Sequence, residues 1–212
     1  MTRLAYGAEA DLYDGRTERF QGYRDRIVAA LDVRPGDVVL DVGCGTGLCF
    51  DGLRHAVGSG GSVVGIEESA DMVRLARSRA ERHGWSNVSV LHSTVSRAEI
   101  PIVADRVLFC TVHDILQSVE SLRNVFDHVR PGGQVVAGGG KFASSWLFAL
   151  NVHLRAMHRP YVRSFEGFQR PWAVLAPFFE GLQVTGLALG TGYCAVGRAP
   201  TGIKGRPSGR PR

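Results

Sequence analysis

Long hydrophobic runs are missing from this chain. Of its 212 residues 44% are hydrophobic, yet the longest apolar stretches fall far short of the ~20 residues a membrane-spanning helix requires. The opening MTRLAYGAEADLYDGR turns polar and acidic within a dozen residues and lacks the apolar core of a signal peptide, so a cytoplasmic setting is the expectation. No Cys-x-x-Cys pair occurs among Cys44, Cys49, Cys110 and Cys194, which argues against a zinc knuckle; all four thiols are expected to be reduced. His153 and His158 are spaced out of register for one helical face, no histidine spacing suits a metal, and none is expected. Internal repeats are also missing.

Excess charge is scarce once one segment is set aside. The net charge is +5, and Lys204, Arg206, Arg210 and Arg212 of the acid-free TGIKGRPSGRPR account for four of it, leaving +1 for the rest. A near-neutral body does not suit nucleic acid, and no Asn/Asp-Pro-Pro-Tyr/Trp motif for flipping bases is present. The tail 201–212, rich in Gly, Pro and Ser, is expected to be unstructured.

What is present is a rhythm. Short apolar segments at 37–42, 62–67, 87–92, 104–113 and 133–140 alternate with helical patterns at 48–57, 69–84 and 118–129, after a first helix at 17–32. Strands that are apolar on both faces belong in a buried parallel sheet. LQVTGLALG and TGYCAVGRA then read as an antiparallel hairpin. The fold class expected is α/β, a doubly wound, seven-stranded, mostly parallel sheet closed by that hairpin, in a single domain over 1–200. Further helices are predicted at 170–179 and 145–158, the second with Trp146, Ala149, Leu150, His153 and Met157 near one face.

The first strand ends in VVLDVGCGTGL (38–48), where Asp41 precedes Gly43, Gly45 and Gly47. Ligands of open α/β sheets bind at the carboxyl ends of the strands, and such glycines let backbone amides approach a ligand. The dinucleotide fingerprint G-x-G-x-x-G is not met, since Leu48 occupies the place of its third glycine. That counts against a nicotinamide- or flavin-dependent oxidoreductase. Glu67, at the end of the second strand, stands where an acid accepts hydrogen bonds from ribose hydroxyls.

VLDVGCGTG, VVGIEESADMVRLAR, NVSVLHS and VRPGG together resemble a class I S-adenosylmethionine-dependent methyltransferase over about residues 35–140, with a Rossmann-like fold. YGAEADLYDGRTERFQGYR is similar to the small-molecule methyltransferases of ubiquinone and menaquinone biosynthesis. The resemblance implies S-adenosylmethionine as cofactor and S-adenosylhomocysteine as product. It places Gly43, Cys44, Gly45 and Gly47 along the methionyl part, with Asp41 orienting the loop and holding the ammonium. Glu67 would bind the ribose, with Glu68 and Met72 flanking the adenine. Thr94 stands where the family commonly has an Asp for the adenine amino group, a departure worth ~1 kcal/mol of binding. Tyr13, in an N-terminal lid (1–34), and Cys110 complete the cofactor side.

The reaction implied is in-line methyl transfer to O, N or C of a small, largely apolar or aromatic acceptor. His113, at the end of the fourth strand, is the candidate base and also an acceptor contact, beside Asp114, which would alternatively cap the next helix. An insertion at 141–168 supplies Lys141, Trp146 and Tyr161 on the acceptor side. Its Arg155, Arg159 and Arg163, near Trp and Phe, would also suit a membrane surface and a lipid or polyprenyl-quinone acceptor. A non-catalytic S-adenosylmethionine-binding protein is the remaining alternative.

Overall fold

The computed structural model describes residues 10–201, with side chains from Tyr13 onward. Tyr6 and the basic tail, apart from Thr201, lie outside the described residues. The chain enters through α1 (Ala10–Thr17), a 3-10 turn at Glu18–Phe20 and α2 (Gln21–Ala30). It then alternates through β1 (Val38–Val42), α3 (Phe50–Val57), β2 (Ser62–Glu67), α4 (Ala70–Arg82), β3 (Val88–His92), β4 (Ala104–Cys110), α5 (His113–Leu116), α6 (Val119–Phe126) and β5 (Val129–Gly140). After α7 (Phe148–His158) come β6 (Glu180–Leu187) and β7 (Gly192–Arg198).

The strands form one seven-stranded sheet in the order β3-β2-β1-β4-β5-β7-β6. The first five run parallel, and β7 lies antiparallel between β5 and β6. This is the doubly wound sheet that the alternation predicts. β1 shows why both its faces are apolar. Val39 joins Ile27 and Phe50 in one core, whereas Leu40 and Val42 join Leu122 and Val125 in the other. Local signals set the ends of α4. The Ser69 hydroxyl accepts from the Met72 amide at 3.5 Å, and Gly84 leaves the helix at φ +65°.

Five expectations need correction. The strand expected over 104–113 ends at Cys110, because Thr111 turns into left-handed backbone, and His113 opens α5 instead of closing the strand. Residues 170–179 form turns with a single 3-10 turn at Ala176–Phe178, because Pro171 and Pro177 remove amide donors that a helix would use. The 17–32 helix is interrupted by the 3-10 turn ending at Phe20. Helix 118–129 stops at Phe126, since β5 begins at Val129, pairs with Ala104, and absorbs Arg130–Gly133 in a register shift. The helix expected at 145–158 starts only at Phe148 and presents a different face: Leu154 is buried and Met157 and His158 turn inward, while Trp146 and His153 are exposed. Sheet order reverses between β1 and β4, which opens a crevice beyond their carboxyl ends.

Candidate active site

The three loop glycines answer to three different constraints. All adopt left-handed backbone, with φ +70° at Gly43, +56° at Gly45 and +78° at Gly47. A Cβ at Gly43 would come within 2.6 Å of Val112 Cγ1, and one at Gly47 within 2.5 Å of the Phe50 ring. Above Gly45 nothing lies within 4 Å. Two of the glycines therefore let the loop pack tightly, and the third leaves a floor that a ligand can approach.

The loop is tied to β2 by its amides. Gly43 and Cys44 donate to the Ile66 carbonyl at 2.8 and 3.0 Å, and Gly45 donates to Glu67 Oε2 at 3.0 Å. Glu67 Oε1 accepts from the Ser69 amide at 2.8 Å. Burial raises the pKa of the Glu67 carboxyl, and these amides work against the rise. Asp41 lies buried at the end of β1, and its Oδ2 has no hydrogen-bond partner among the described residues. Burial, and then the neighbouring Glu67, push its carboxyl up to about 7.

Two cavities open here. The first, of about 270 Å³, runs past Gly43, Gly45, Glu67, Met72 and Thr94. The second, of about 180 Å³, is walled mainly by apolar groups, among them Phe20, Leu154, Met157 and Phe168. Tyr13, Thr111, Val112, His113 and Tyr161 belong to the walls of both. Thr111 holds left-handed backbone (φ +60°) at the end of β4, its amide donating to the Gly138 carbonyl at 2.7 Å. That turn carries Val112 and His113 over the junction.

Side chains from α1 fasten that helix across the loop. Asp14 accepts from the Thr46 hydroxyl at 2.6 Å and pairs with Arg79, whose Nε donates to the Thr46 carbonyl at 2.9 Å. Tyr13 is thereby set between the cavities, and burial pushes its hydroxyl up to about 12.

The structure gathers most of the residues singled out from sequence, though not all. Gly43, Gly45, Glu67, Glu68, Met72, Thr94, Tyr13, His113, Asp114 and Tyr161 line one or both cavities. Glu68 pairs with Arg163, and Asp114 accepts from the Arg163 amide at 2.9 Å, so both hold the 141–168 segment in place. Asp41, Cys44, Gly47 and Cys110 are in neither wall. Cys44 is packed against Gly65, and Cys110 is buried in the core at the end of β4. Lys141 spends its ammonium on the Phe142 carbonyl at 2.9 Å, and Trp146 is 80% exposed; neither lines a cavity.

One residue escaped the sequence reading. Arg24 is only 6% exposed and lines the second cavity. Its Nε donates to Gln21 Oε1 at 3.0 Å and its Nη2 to the Thr17 carbonyl at 2.9 Å, both uncharged partners. The signal was its place on the apolar stripe of Phe20, Ile27 and Leu31. His158 also lines that cavity, with Nδ1 2.9 Å from the Leu154 carbonyl.

Residues 34–154 match the family described as a methyltransferase domain. The chain belongs to that family. A demethylmenaquinone methyltransferase from Bacillus velezensis is 30% identical over 126 residues, covering 56% of this chain and 52% of its own. An uncharacterized protein of transposon TN4556 from Streptomyces fradiae is 36% identical over 126 residues, 58% of this chain and 35% of that one. The methyltransferase chain thus spans about half the length, or less, of these curated relatives. A SAM-dependent methyltransferase from Aquifex aeolicus shares the fold, with a TM-score of 0.61 at 20% identity over 91% of this chain and 96% of its own.

Proposed function

We propose that this methyltransferase transfers the methyl group of S-adenosylmethionine to O, N or C of a small, largely apolar or aromatic acceptor. The observation that carries the reading is the junction of two unlike cavities. One is floored by bare glycine backbone and flanked by carboxylates; the other is apolar, and five residues wall both. When bound, the cofactor supplies a methyl group made electrophilic by its sulfonium. The chain then needs no nucleophile of its own; its task is to align the two ligands and exclude water.

The residues present fit this cofactor. Asp41 keeps a buried carboxylate oxygen without a partner among the described residues, and Arg24 a buried guanidinium with uncharged partners. A buried charge calls for an opposite one. The amino-acid end of the cofactor offers both, an ammonium for Asp41 and a carboxylate for Arg24. Glu67 would hold the ribose hydroxyls, and Met72, Glu68 and Thr94 would flank the adenine. His113 and Tyr161 would stand between cofactor and acceptor. Calorimetric titration with S-adenosylhomocysteine, followed by a search of cell extracts for a product heavier by one methylene, tests the proposal. Binding without any product would leave a non-catalytic cofactor-binding protein.

A lipid-borne acceptor is a second reading with its own support. Trp146, Phe148 and Val152 are 80%, 74% and 52% exposed on and just before α7, whose Leu154 and Met157 line the acceptor cavity. No acid occurs between Lys141 and Ser164. Apolar residues beside cations suit an anionic bilayer surface. Such contact would be peripheral, since no helix among the described residues is long and apolar enough to cross a membrane. The four free thiols favour a reducing, cytoplasmic setting.

A further inference from the structure

We infer that the acceptor carries an acidic hydroxyl on an aromatic frame, and that His158 Nε2 takes its proton. The inference rests on the methyl-transfer reading and names the substrate class for it. Most polar atoms of the second cavity are already committed. The Tyr23 hydroxyl is committed, donating to the Gly139 carbonyl at 2.7 Å and accepting from the Tyr193 amide at 3.2 Å. The Thr191 hydroxyl donates to the Ala188 carbonyl at 2.7 Å, and the Thr17 hydroxyl to the Tyr13 carbonyl at 2.9 Å. Arg24 can only donate. The hydroxyls of Tyr13, Thr111, Tyr161 and Tyr193 also line the cavity, but a neutral hydroxyl is not a base towards another hydroxyl. Two imidazoles remain as bases, and their tautomers are fixed by carbonyls, which accept but never donate.

His113 Nε2 lies 2.9 Å from the Glu166 carbonyl and must carry the proton, which leaves its lone pair at Nδ1. That nitrogen is sealed from solvent and has no partner among the described residues, so no acceptor reaches it without movement of the ring. His158 is the reverse case. Its Nδ1 donates to the Leu154 carbonyl one turn back at 2.9 Å, which leaves the lone pair at Nε2. Nε2 packs against the Gly140 backbone, where an added Cβ would come within 2.3 Å; the ring's hydrogen bond among the described residues is made through Nδ1, and Nε2, unlike His113 Nδ1, is not sealed without a partner. Gly140 lines the same cavity. A basic nitrogen with its lone pair free, in an apolar chamber, is suited to a proton-bearing ligand atom.

The frame follows from the walls. Phe168 meets His158 edge-on at 5.1 Å and His113 at 4.9 Å, so an aromatic edge separates the two imidazoles. Phe20, Leu154, Met157 and Val162 complete an apolar surface that favours a ring over a flexible polar chain. Burial lowers the proton affinity of the His158 imidazole, and its bond to the Leu154 carbonyl works against that fall. In the step, the acceptor O–H bond breaks, its electron pair stays on oxygen, and the proton moves to Nε2. That oxygen pair forms the new O–CH3 bond while the C–S pair returns to sulphur. The imidazolium then loses its proton to water once product has left.

The test uses 2-naphthol and naphthalene as probes, titrated with and without S-adenosylhomocysteine, against the wild type and the variants His158→Phe, His158→Gln and His113→Phe. The wild type should prefer 2-naphthol by roughly tenfold, the scale of one hydrogen bond. The preference should vanish in His158→Phe, survive in part in His158→Gln, and persist in His113→Phe. Long-range 1H–15N spectra should show His158 as the Nδ1–H tautomer. Equal affinity for the two probes, failure to bind 2-naphthol, a preference that follows His113, or an Nε2–H tautomer at His158 would each overturn the inference. Unchanged S-adenosylhomocysteine affinity in His158→Phe separates this result from the parent reading. In this experiment that reading is overturned instead by a wild type that does not bind S-adenosylhomocysteine.

Discussion

The Gly45 amide donates to Oε2 of Glu67 at 3.0 Å, so the side chain proposed to hold the ribose also holds the loop beneath the methionyl end. One carboxylate thus organises two ends of the cofactor. Glu67→Ala should lower affinity for S-adenosylhomocysteine by about 1.5–3 kcal/mol, the worth of hydrogen bonds to a charged group. Calorimetry checks this. Glu67→Gln should recover part of the loss, because an amide oxygen can still accept from Gly45.

Gly43 and Gly45 separate packing from ligand approach. At Gly45 an Ala meets open space, so only its left-handed backbone is penalised, by about 1–2 kcal/mol. Gly45→Ala should therefore melt slightly early yet bind S-adenosylhomocysteine much more weakly. At Gly43 the new methyl also collides with Val112 and Ile115, which adds about 1–3 kcal/mol of overpacking. Gly43→Ala should show the larger fall in melting temperature.

Asp41 should couple binding to pH. Its carboxyl titrates at about 7 in the fold, against roughly 4 in an unfolded chain. A raised acid favours the protonated fold. The stability it contributes is therefore complete below about pH 4, declines as pH rises towards 7, and is level above. A ligand ammonium beside Asp41 favours the charged carboxylate, so binding should release a proton. Affinity for S-adenosylhomocysteine should then rise from about pH 5 to 7 and flatten beyond. Calorimetry in two buffers of different ionisation enthalpy counts the proton, and Asp41→Asn should abolish its release.

Arg24→Met should separate the two ends of the cofactor. Loss of a charged hydrogen-bond donor should weaken S-adenosylhomocysteine by about 1.5–3 kcal/mol. Binding of methylthioadenosine, which has no carboxylate, should be little changed. Equal losses for both ligands would remove Arg24 from the methionyl end.

Replacing Trp146 and Phe148 together by Ser addresses the lipid-borne reading. Both side chains are exposed, so melting temperature should hold. Sedimentation with vesicles containing anionic lipid should fall, and no change there would remove this face from membrane contact.

The sheet was legible because each buried parallel strand is apolar on both faces, as Val39 and Leu40 of β1 illustrate. The glycine loop and Glu67 were legible because their constraints are local. Arg24 and His158 were not, since their roles come from Gln21, Thr17, Leu154 and Gly140 meeting around a cavity that sequence spacing cannot display. Trp146 misled for a related reason. An aromatic in a helical pattern reads as a wall, but the inward face of α7 was set by Leu154 docking and by Asn151, which accepts from the Ala143 amide at 2.9 Å. At 170–179 the missing amides of Pro171 and Pro177 override the apolar run around them.

A crystal structure of the chain soaked with S-adenosylhomocysteine tests the account most directly. The account predicts adenine beside Met72 and Thr94, ribose hydroxyls on Glu67, and the amino-acid end between Asp41 and Arg24. A crevice that stays empty, or that takes a dinucleotide in place of this ligand, would contradict it.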